Sequence, residues 1–205
     1  MSKTVYLWDM ANTLFPEKWN ESLTGFKNFD KYVASLGIDQ DNPRQYESCF
    51  REPYSKGDMF NLNIADGYEE VLNWTKYNEI FSTGLPETND WRAEYLNPKV
   101  GFDIRKYFQN NVSTFDFGET NVKTPEMLER YLIQKRDEGY TCVVYTDDKL
   151  SNCEFFRDAA DKIGIDFRIY NIKNNNGGLR KKEWYWEIGN LYDLLENEQK
   201  LIIRN

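Results

Sequence analysis

The chain has 205 residues, of which 40% are hydrophobic and 29% are charged, a balance typical of a globular domain. Its net charge of −8 disfavours contact with nucleic-acid phosphates, so we expect no nucleic-acid partner. The sequence contains no histidine, which excludes Ser–His–Asp and Cys–His nucleophilic sites and histidine-ligated metals within the chain. Acid–base chemistry must therefore come from carboxylates, lysine, tyrosine or cysteine.

The cysteines favour a reducing compartment. There are three of them, Cys49, Cys142 and Cys153, and no two form a CxxC pair. No apolar run approaches the length of a membrane span, and the N-terminus enters a strand without a signal peptide. We therefore expect a cytoplasmic protein without a membrane partner, as a monomer or a homodimer.

The first predicted strand is the apolar run at residues 5–8, which ends at Asp9 and has the pattern of a buried parallel strand. Helical and loop segments follow from residue 15 to residue 65. Residues 79–81 predict a second strand, and Ser82 with the two residues after it marks its end. A helical stretch at residues 103–108 then leads to a third strand at residues 112–115.

The second half of the chain alternates between helices and strands. Thr124 and Pro125 have the N-cap and first-turn preferences of a helix start. The clearest strand pattern covers residues 141–146 and runs into Asp147 and Asp148. The remaining predicted elements are a helix at residues 152–163, a strand at residues 166–170 and a last helix at residues 187–195.

This alternation predicts an α/β fold, a Rossmann-like parallel sheet flanked by helices with right-handed connections. In such sheets, ligands bind beyond the carboxyl ends of the strands. Asp9, Ser82 and the pair Asp147 and Asp148 all lie at predicted strand ends. We therefore expect their side chains to converge in one crevice.

Four short motifs resemble those of the haloacid dehalogenase (HAD) superfamily and occur in the family's order. Residues 8–15, Trp-Asp-Met-Ala-Asn-Thr-Leu-Phe, are similar to the first motif, hydrophobic-Asp-x-Asp-x-Thr-Leu. Residues 80–84, Ile-Phe-Ser-Thr-Gly, resemble the second motif, and residues 122–127, Val-Lys-Thr-Pro-Glu-Met, resemble the third. Residues 143–148, Val-Val-Tyr-Thr-Asp-Asp, with Asn152 a few residues later, are similar to the fourth motif.

The resemblance covers about residues 4–14 and 66–170. It implies a HAD-like core domain made of residues 1–14 and 66–205, interrupted by a small, mostly helical cap insertion at residues 15–65. In this family the insertion after the first motif usually selects the substrate. The insertion of this chain does not by itself identify a ligand.

The resemblance also implies a Mg²⁺-dependent phosphohydrolase or phosphotransferase that acts on a small phosphorylated molecule. Asp9 would be the nucleophile and form an aspartyl-phosphate. Ser82 and Lys123 would hold the transferring phosphoryl oxygens, with Thr83 as the alternative to Ser82 and Thr13 as a further phosphate ligand. The implied Mg²⁺ ligands are Asp9, the backbone carbonyl of Ala11, Asp147 and Asp148.

The first motif departs from the family pattern at Ala11, where most family phosphatases have a second aspartate. That aspartate protonates the leaving group and later activates water, and such acid–base help typically contributes about 10²–10⁴-fold. Three functions stay open. The first is a phosphohydrolase whose substrate has a good leaving group, or whose acid comes from the insertion. The second is a phosphonoacetaldehyde-hydrolase-like C–P hydrolase that uses Lys56 as its Schiff-base lysine. The third is a non-catalytic HAD-fold binding protein.

Overall fold

The computed structural model describes residues 3–175 and 177–203, and one mixed sheet runs through them. Its strands are β1 (Thr4–Trp8), β2 (Asn78–Ser82), β3 (Phe108–Ser113), β4 (Cys142–Asp147), β5 (Asp166–Ile172), β6 (Arg180–Lys181) and β7 (Trp186–Ile188). The order across the sheet is β3-β2-β1-β4-β5-β7-β6. All neighbouring strands are parallel except β6 and β7 at one edge, which are antiparallel.

Helices flank this sheet, so the predicted α/β fold is confirmed. The α-helices are α1 (Glu21–Thr24), α2 (Phe29–Ser35), α3 (Pro43–Ser48), α4 (Arg51–Lys56), α5 (Tyr68–Trp74), α6 (Thr88–Val100), α7 (Pro125–Asp137), α8 (Leu150–Ile163) and α9 (Leu191–Ile203). Short 3₁₀-helices occur at Asp58–Phe60, Ile104–Tyr107 and Thr114–Asp116. Within the described ranges, no helix combines the length and apolar character that a membrane crossing requires.

Strand β1 is buried on both faces of the sheet, which explains why its sequence is apolar without alternation. Tyr6 and Trp8 belong to the hydrophobic cluster on one face, and Val5 and Leu7 belong to the cluster on the other face. Successive side chains of a strand point to opposite faces, so one short run serves both layers. This double burial fixes the position at which Asp9 leaves the sheet.

The bounds of two predicted elements were wrong. The helical stretch predicted at residues 103–108 is the short 3₁₀-helix Ile104–Tyr107, but the strand after it, β3, begins at Phe108 rather than at residue 112. The long helix in this region is α6, which was not predicted and ends at Gly101 in the left-handed conformation. The last helix begins at Leu191 rather than at residue 187, because Trp186–Ile188 pair with β5 as a strand.

Residues 15–65 contain α1 to α4 and the 3₁₀-helix Asp58–Phe60, joined by turns and loops. They have an aromatic cluster of their own, in which the Phe29 and Phe50 rings stack with centroids 3.9 Å apart. The rings of Trp19 and Phe60 also contact Phe29. The function of this segment as a cap domain stays a prediction.

Helix α7 begins at a side-chain cap that a substitution can test. The Thr124 hydroxyl accepts a hydrogen bond from the backbone N–H of Met127 at 3.4 Å. Without this oxygen, one amide of the first turn loses its partner. We expect Thr124→Ala to lower the free energy of unfolding in urea by about 1 kcal/mol, and Thr124→Ser to lower it much less. Equal losses in both variants would show that the hydroxyl is not the cap.

Candidate active site

Acidic side chains meet at the carboxyl ends of the central strands. Strand β1 lies between β2 and β4, so the residue after β1 lies beside the ends of both neighbours. The Asp9 backbone N–H donates to the Thr146 carbonyl at 2.9 Å, which continues the pairing of β1 with β4. Carboxylate oxygens of Asp9, Asp147 and Asp148 lie within 4.8 Å of one another. The crevice predicted from the strand ends is therefore present.

Lys123 lies beneath these carboxylates and is fully buried. Its Nζ is 2.6 Å from Asp9 Oδ1 and 2.7 Å from Asp147 Oδ2, and it donates to the Tyr145 hydroxyl at 3.2 Å. Burial alone would lower the pKa of this ammonium, but the two carboxylates together raise it above its usual value. Lys123 is therefore charged and joins the first, third and fourth motifs.

Asp147 accepts hydrogen bonds on both oxygens. Besides Lys123, the donors are the Tyr145 hydroxyl at 2.6 Å, the Lys149 backbone N–H at 2.8 Å and the Asn152 side chain at 3.0 Å. Burial opposes ionisation, but Lys123 and these donors hold the pKa of Asp147 below its usual value. Asp147 is thus a fixed carboxylate, held from several sides.

Asp9 and Asp148 are shifted in the opposite direction. Burial raises the pKa of Asp9 to about 6, although Lys123 opposes this shift, and the Thr13 hydroxyl donates to Asp9 Oδ2 at 3.2 Å. Burial, followed by repulsion from Asp9 and Asp147, raises the pKa of Asp148 to about 7. A cation bound between two neighbouring carboxyl groups with raised pKa values would stabilise their ionised forms.

A cavity of about 290 Å³ opens over Asp9 and Asp148. The predicted site residues that line it are Asp9, Ala11, Ser82, Thr83 and Asp148. Lys123, Thr13 and Asp147 lie behind this lining, where the first two hold Asp9 in place. The structure therefore brings all the predicted site residues together but separates those that face the cavity from those that support them.

The Ser82 hydroxyl and the Ala11 carbonyl are among the polar atoms of the cavity-lining residues that have no hydrogen-bond partner in the described part of the chain. The Ser82 hydroxyl is buried without a hydrogen bond, and the Ala11 carbonyl accepts none. A buried hydroxyl without a partner costs roughly 1–3 kcal/mol, so such groups usually meet a ligand or water. Both atoms are therefore available to a ligand that enters the cavity.

Four further residues of the cavity lining were not predicted from the sequence, and they form a group of charged and aromatic side chains. They are Glu17, Glu47 and Tyr54 from residues 15–65, together with Arg92 from α6. The Arg92 guanidinium is 3.0 Å from Glu17 Oε2 and 3.8 Å from the Tyr54 ring centroid. Arg92 lies on the helix that was not predicted, and no motif distinguishes the two glutamates from other acidic residues.

Lys56, the Schiff-base candidate, does not line the cavity. It is exposed at the end of α4 and forms an ion pair with Glu52 in the same helix. The C–P hydrolase alternative therefore loses its candidate lysine.

No protein-family model matches the sequence, and no curated protein matches it. Solved structures share the fold. The UTR4 protein of Saccharomyces cerevisiae has a TM-score of 0.53 at 15% identity, over 92% of this chain and 98% of that chain. A HAD family enzyme from Bacteroides thetaiotaomicron, solved as a magnesium complex, has a TM-score of 0.50 at 16% identity, over 82% and 93% of the chains. The fold of this chain is therefore that of the HAD-like superfamily, as its motifs predicted.

Proposed function

We propose that this chain is a Mg²⁺-dependent phosphohydrolase or phosphotransferase that acts on a small phosphorylated molecule through an aspartyl-phosphate at Asp9. The observation that carries this proposal is the convergence of three carboxylates, the buried Lys123 and the unpaired Ser82 hydroxyl at one cavity. The magnesium in a structural neighbour of the HAD family is consistent with it.

The donor set suits Mg²⁺, which prefers oxygen ligands and keeps several waters. Asp9, Ala11 and Asp148 line the cavity, and the two carboxylates and the free carbonyl of Ala11 are the proposed direct ligands. Asp147 was predicted as a ligand too, but its oxygens already accept several hydrogen bonds. In the proposal it holds Lys123 and supports the ligands from behind.

Each residue then has a defined task in phosphoryl transfer. An Asp9 carboxylate oxygen attacks phosphorus, while Lys123 and Thr13 fix the orientation of this carboxylate. Ser82 donates its free hydroxyl to a phosphoryl oxygen. A bound Mg²⁺ would offset the repulsion between the carboxylate and the phosphoryl group.

Metal binding gives the first test. We expect the wild-type protein to bind Mg²⁺ in titration calorimetry, and Asp148→Ala to weaken binding by about 10- to 100-fold or more, because even residues that only support metal ligands have effects of that size. Asp158→Ala is the matched control, since Asp158 lies on α8 with an exposed side chain. Equal affinity of wild type and Asp148→Ala would remove Asp148 from the site.

Activity gives the second test, which separates the enzyme from a non-catalytic binding protein. The wild type should hydrolyse an activated ester, p-nitrophenyl phosphate, with Mg²⁺ and not after chelation. Activated esters need little acid catalysis, so the missing aspartate at Ala11 does not prevent this reaction. Mg²⁺ binding without any turnover would instead support the binding-protein alternative.

A further inference from the structure

Glu47 is a buried carboxylate that forms no ion pair with any described residue. Its side chain is 7% exposed, and it is the buried residue of α3. Oε1 accepts one hydrogen bond, from the Asn121 side chain at 3.2 Å, while Oε2 accepts none from residues 3–175 and 177–203. No lysine or arginine in these ranges forms an ion pair with it. Buried carboxylates are rarely left in this state unless they have a function.

The position of Glu47 relates it to the nucleophile. It lines the same cavity as Asp9, Ala11 and Ser82, but it enters from residues 15–65 rather than from the strand ends. Glu47 and Asp9 thus line one cavity, the space in which a substrate with its phosphoryl group at Asp9 would lie. Ala11, in turn, has a methyl group where the family's proton donor usually lies.

The charged groups around Glu47 come from several elements, and their effects on its pKa partly cancel. Arg92 on α6 is already paired with Glu17, and Lys149 lies after β4 at the cavity wall. Burial raises the pKa of Glu47 to about 7; Asn121, Arg92 and Lys149 oppose the shift, and Glu17 reinforces it. Asp9 and Asp148 face the same cavity. A carboxyl group that titrates near neutral pH suits proton transfer in both directions.

We propose that Glu47 is the general acid and general base of this site and replaces the aspartate that Ala11 lacks. The inference rests on the proposed phosphoryl transfer to Asp9. It assigns the proton-transfer step to a residue of the predicted cap, so the substrate must carry its leaving oxygen toward α3.

The two chemical steps balance with Glu47 as the only proton carrier. In the first, an Asp9 oxygen bonds to phosphorus, the bond from phosphorus to the ester oxygen breaks, and protonated Glu47 gives its proton to that oxygen. An alcohol, the aspartyl-phosphate and ionised Glu47 result. In the second, Glu47 takes a proton from water as the water oxygen attacks phosphorus, and the bond to Asp9 breaks. Inorganic phosphate leaves, and both residues return to their starting states.

The test compares two esters that differ in their need for an acid. p-Nitrophenyl phosphate has a good leaving group, whereas β-glycerophosphate has a poor one. Glu47→Gln should lower kcat/KM for β-glycerophosphate by about 10²–10⁴-fold and kcat/KM for p-nitrophenyl phosphate by far less. Without a base, water attack slows, so a burst of p-nitrophenol and a phosphorylated enzyme should appear in Glu47→Gln.

A second variant separates chemistry from folding. Ala11→Asp restores the family's own acid, so the double variant Ala11→Asp with Glu47→Gln should regain activity on β-glycerophosphate. The pH profile adds a readout that a structural role would not move. For the wild type, kcat/KM on β-glycerophosphate should fall as pH rises above about 7, where Glu47 loses its proton, and Glu47→Gln should lack this limb. Unchanged Mg²⁺ binding in Glu47→Gln would show that the site is intact.

Two results would overturn the inference in distinguishable ways. Equal losses on both esters in Glu47→Gln, without rescue by Ala11→Asp, would reduce Glu47 to a structural residue and leave the proposed phosphohydrolase standing. A wild-type protein inactive on both esters would remove the proposed function and the role of Glu47 together.

Discussion

Replacement of Asp9 by Asn should reduce hydrolysis of every phosphate ester to the level of the buffer blank, a loss on the order of 10⁶-fold where a covalent nucleophile is removed. The amide keeps the size of the carboxylate but is a far weaker nucleophile. Steady-state assays on p-nitrophenyl phosphate and β-glycerophosphate measure the loss. Acid-quenched wild-type protein should also contain a phosphoryl group on the peptide that includes Asp9, and the variant should not.

Asp137→Asn is the control for this experiment, because Asp137 ends α7 with an exposed side chain and its replacement should leave activity unchanged. Asp9→Asn also removes one partner of Lys123, so its folding must be checked by urea denaturation. A folded Asp9→Asn protein that retains substantial activity would contradict the covalent mechanism.

The core of the fold was predictable because β1 and β4 have buried faces on both sides. Such strands are apolar along their whole length, and their ends are marked by the first charged residue. This is why Asp9 and Asp147 were assigned to strand ends from the sequence, and why Ser82 followed from β2. The pairing of β1 with β4 then brought Asp9 to Asp147 as expected.

Helix α6 was not predictable by the same reasoning. Asn89 and Arg92 are among its buried residues, and Pro98 lies inside the helix, so its sequence lacks an apolar face of the usual kind. The buried side of α6 mixes polar and apolar residues, and its Arg92 contacts Glu17 and Tyr54 at the cavity. The local sequence pattern therefore did not predict α6, because the charged side chain of Arg92 is satisfied by contacts with residues 15–65 that are distant in the sequence.

Glu47 escaped prediction for a related reason. Helix α3 has the sequence Pro-Arg-Gln-Tyr-Glu-Ser, in which a glutamate is ordinary for an exposed helix. In the fold it is buried and accepts a hydrogen bond from Asn121, which is far away in the sequence, so no local pattern marks it. Ala11 indicated that the usual acid is missing from the first motif, but the sequence did not distinguish Glu47, the substitute proposed here, from other acidic residues.

Replacement of Lys123 should cause the largest loss of stability among these variants. Lys123→Met would leave Asp9 and Asp147 buried without their shared cation, and removing one partner of a buried ion pair typically costs about 3–5 kcal/mol. We therefore expect a loss of that size in the free energy of unfolding by urea at pH 7. Lys200→Met is the control, because Lys200 forms an exposed pair with Glu196 that should contribute less than about 1 kcal/mol.

The pH dependence of this loss follows from the direction of each pKa. In the wild type, the raised pKa of Lys123 means that the ammonium keeps its charge, so its ion pairs stabilise the fold below the usual lysine pKa for as long as Asp9 and Asp147 are ionised. In Lys123→Met, the pKa values of Asp9 and Asp147 should rise, so the folded variant binds protons that the unfolded chain releases. Its stability should therefore fall as pH rises from about 4 to 8, and the deficit relative to wild type should be smallest in acid. A deficit that is constant over this range would mean that lost packing, rather than the two uncompensated carboxylates, causes the destabilisation.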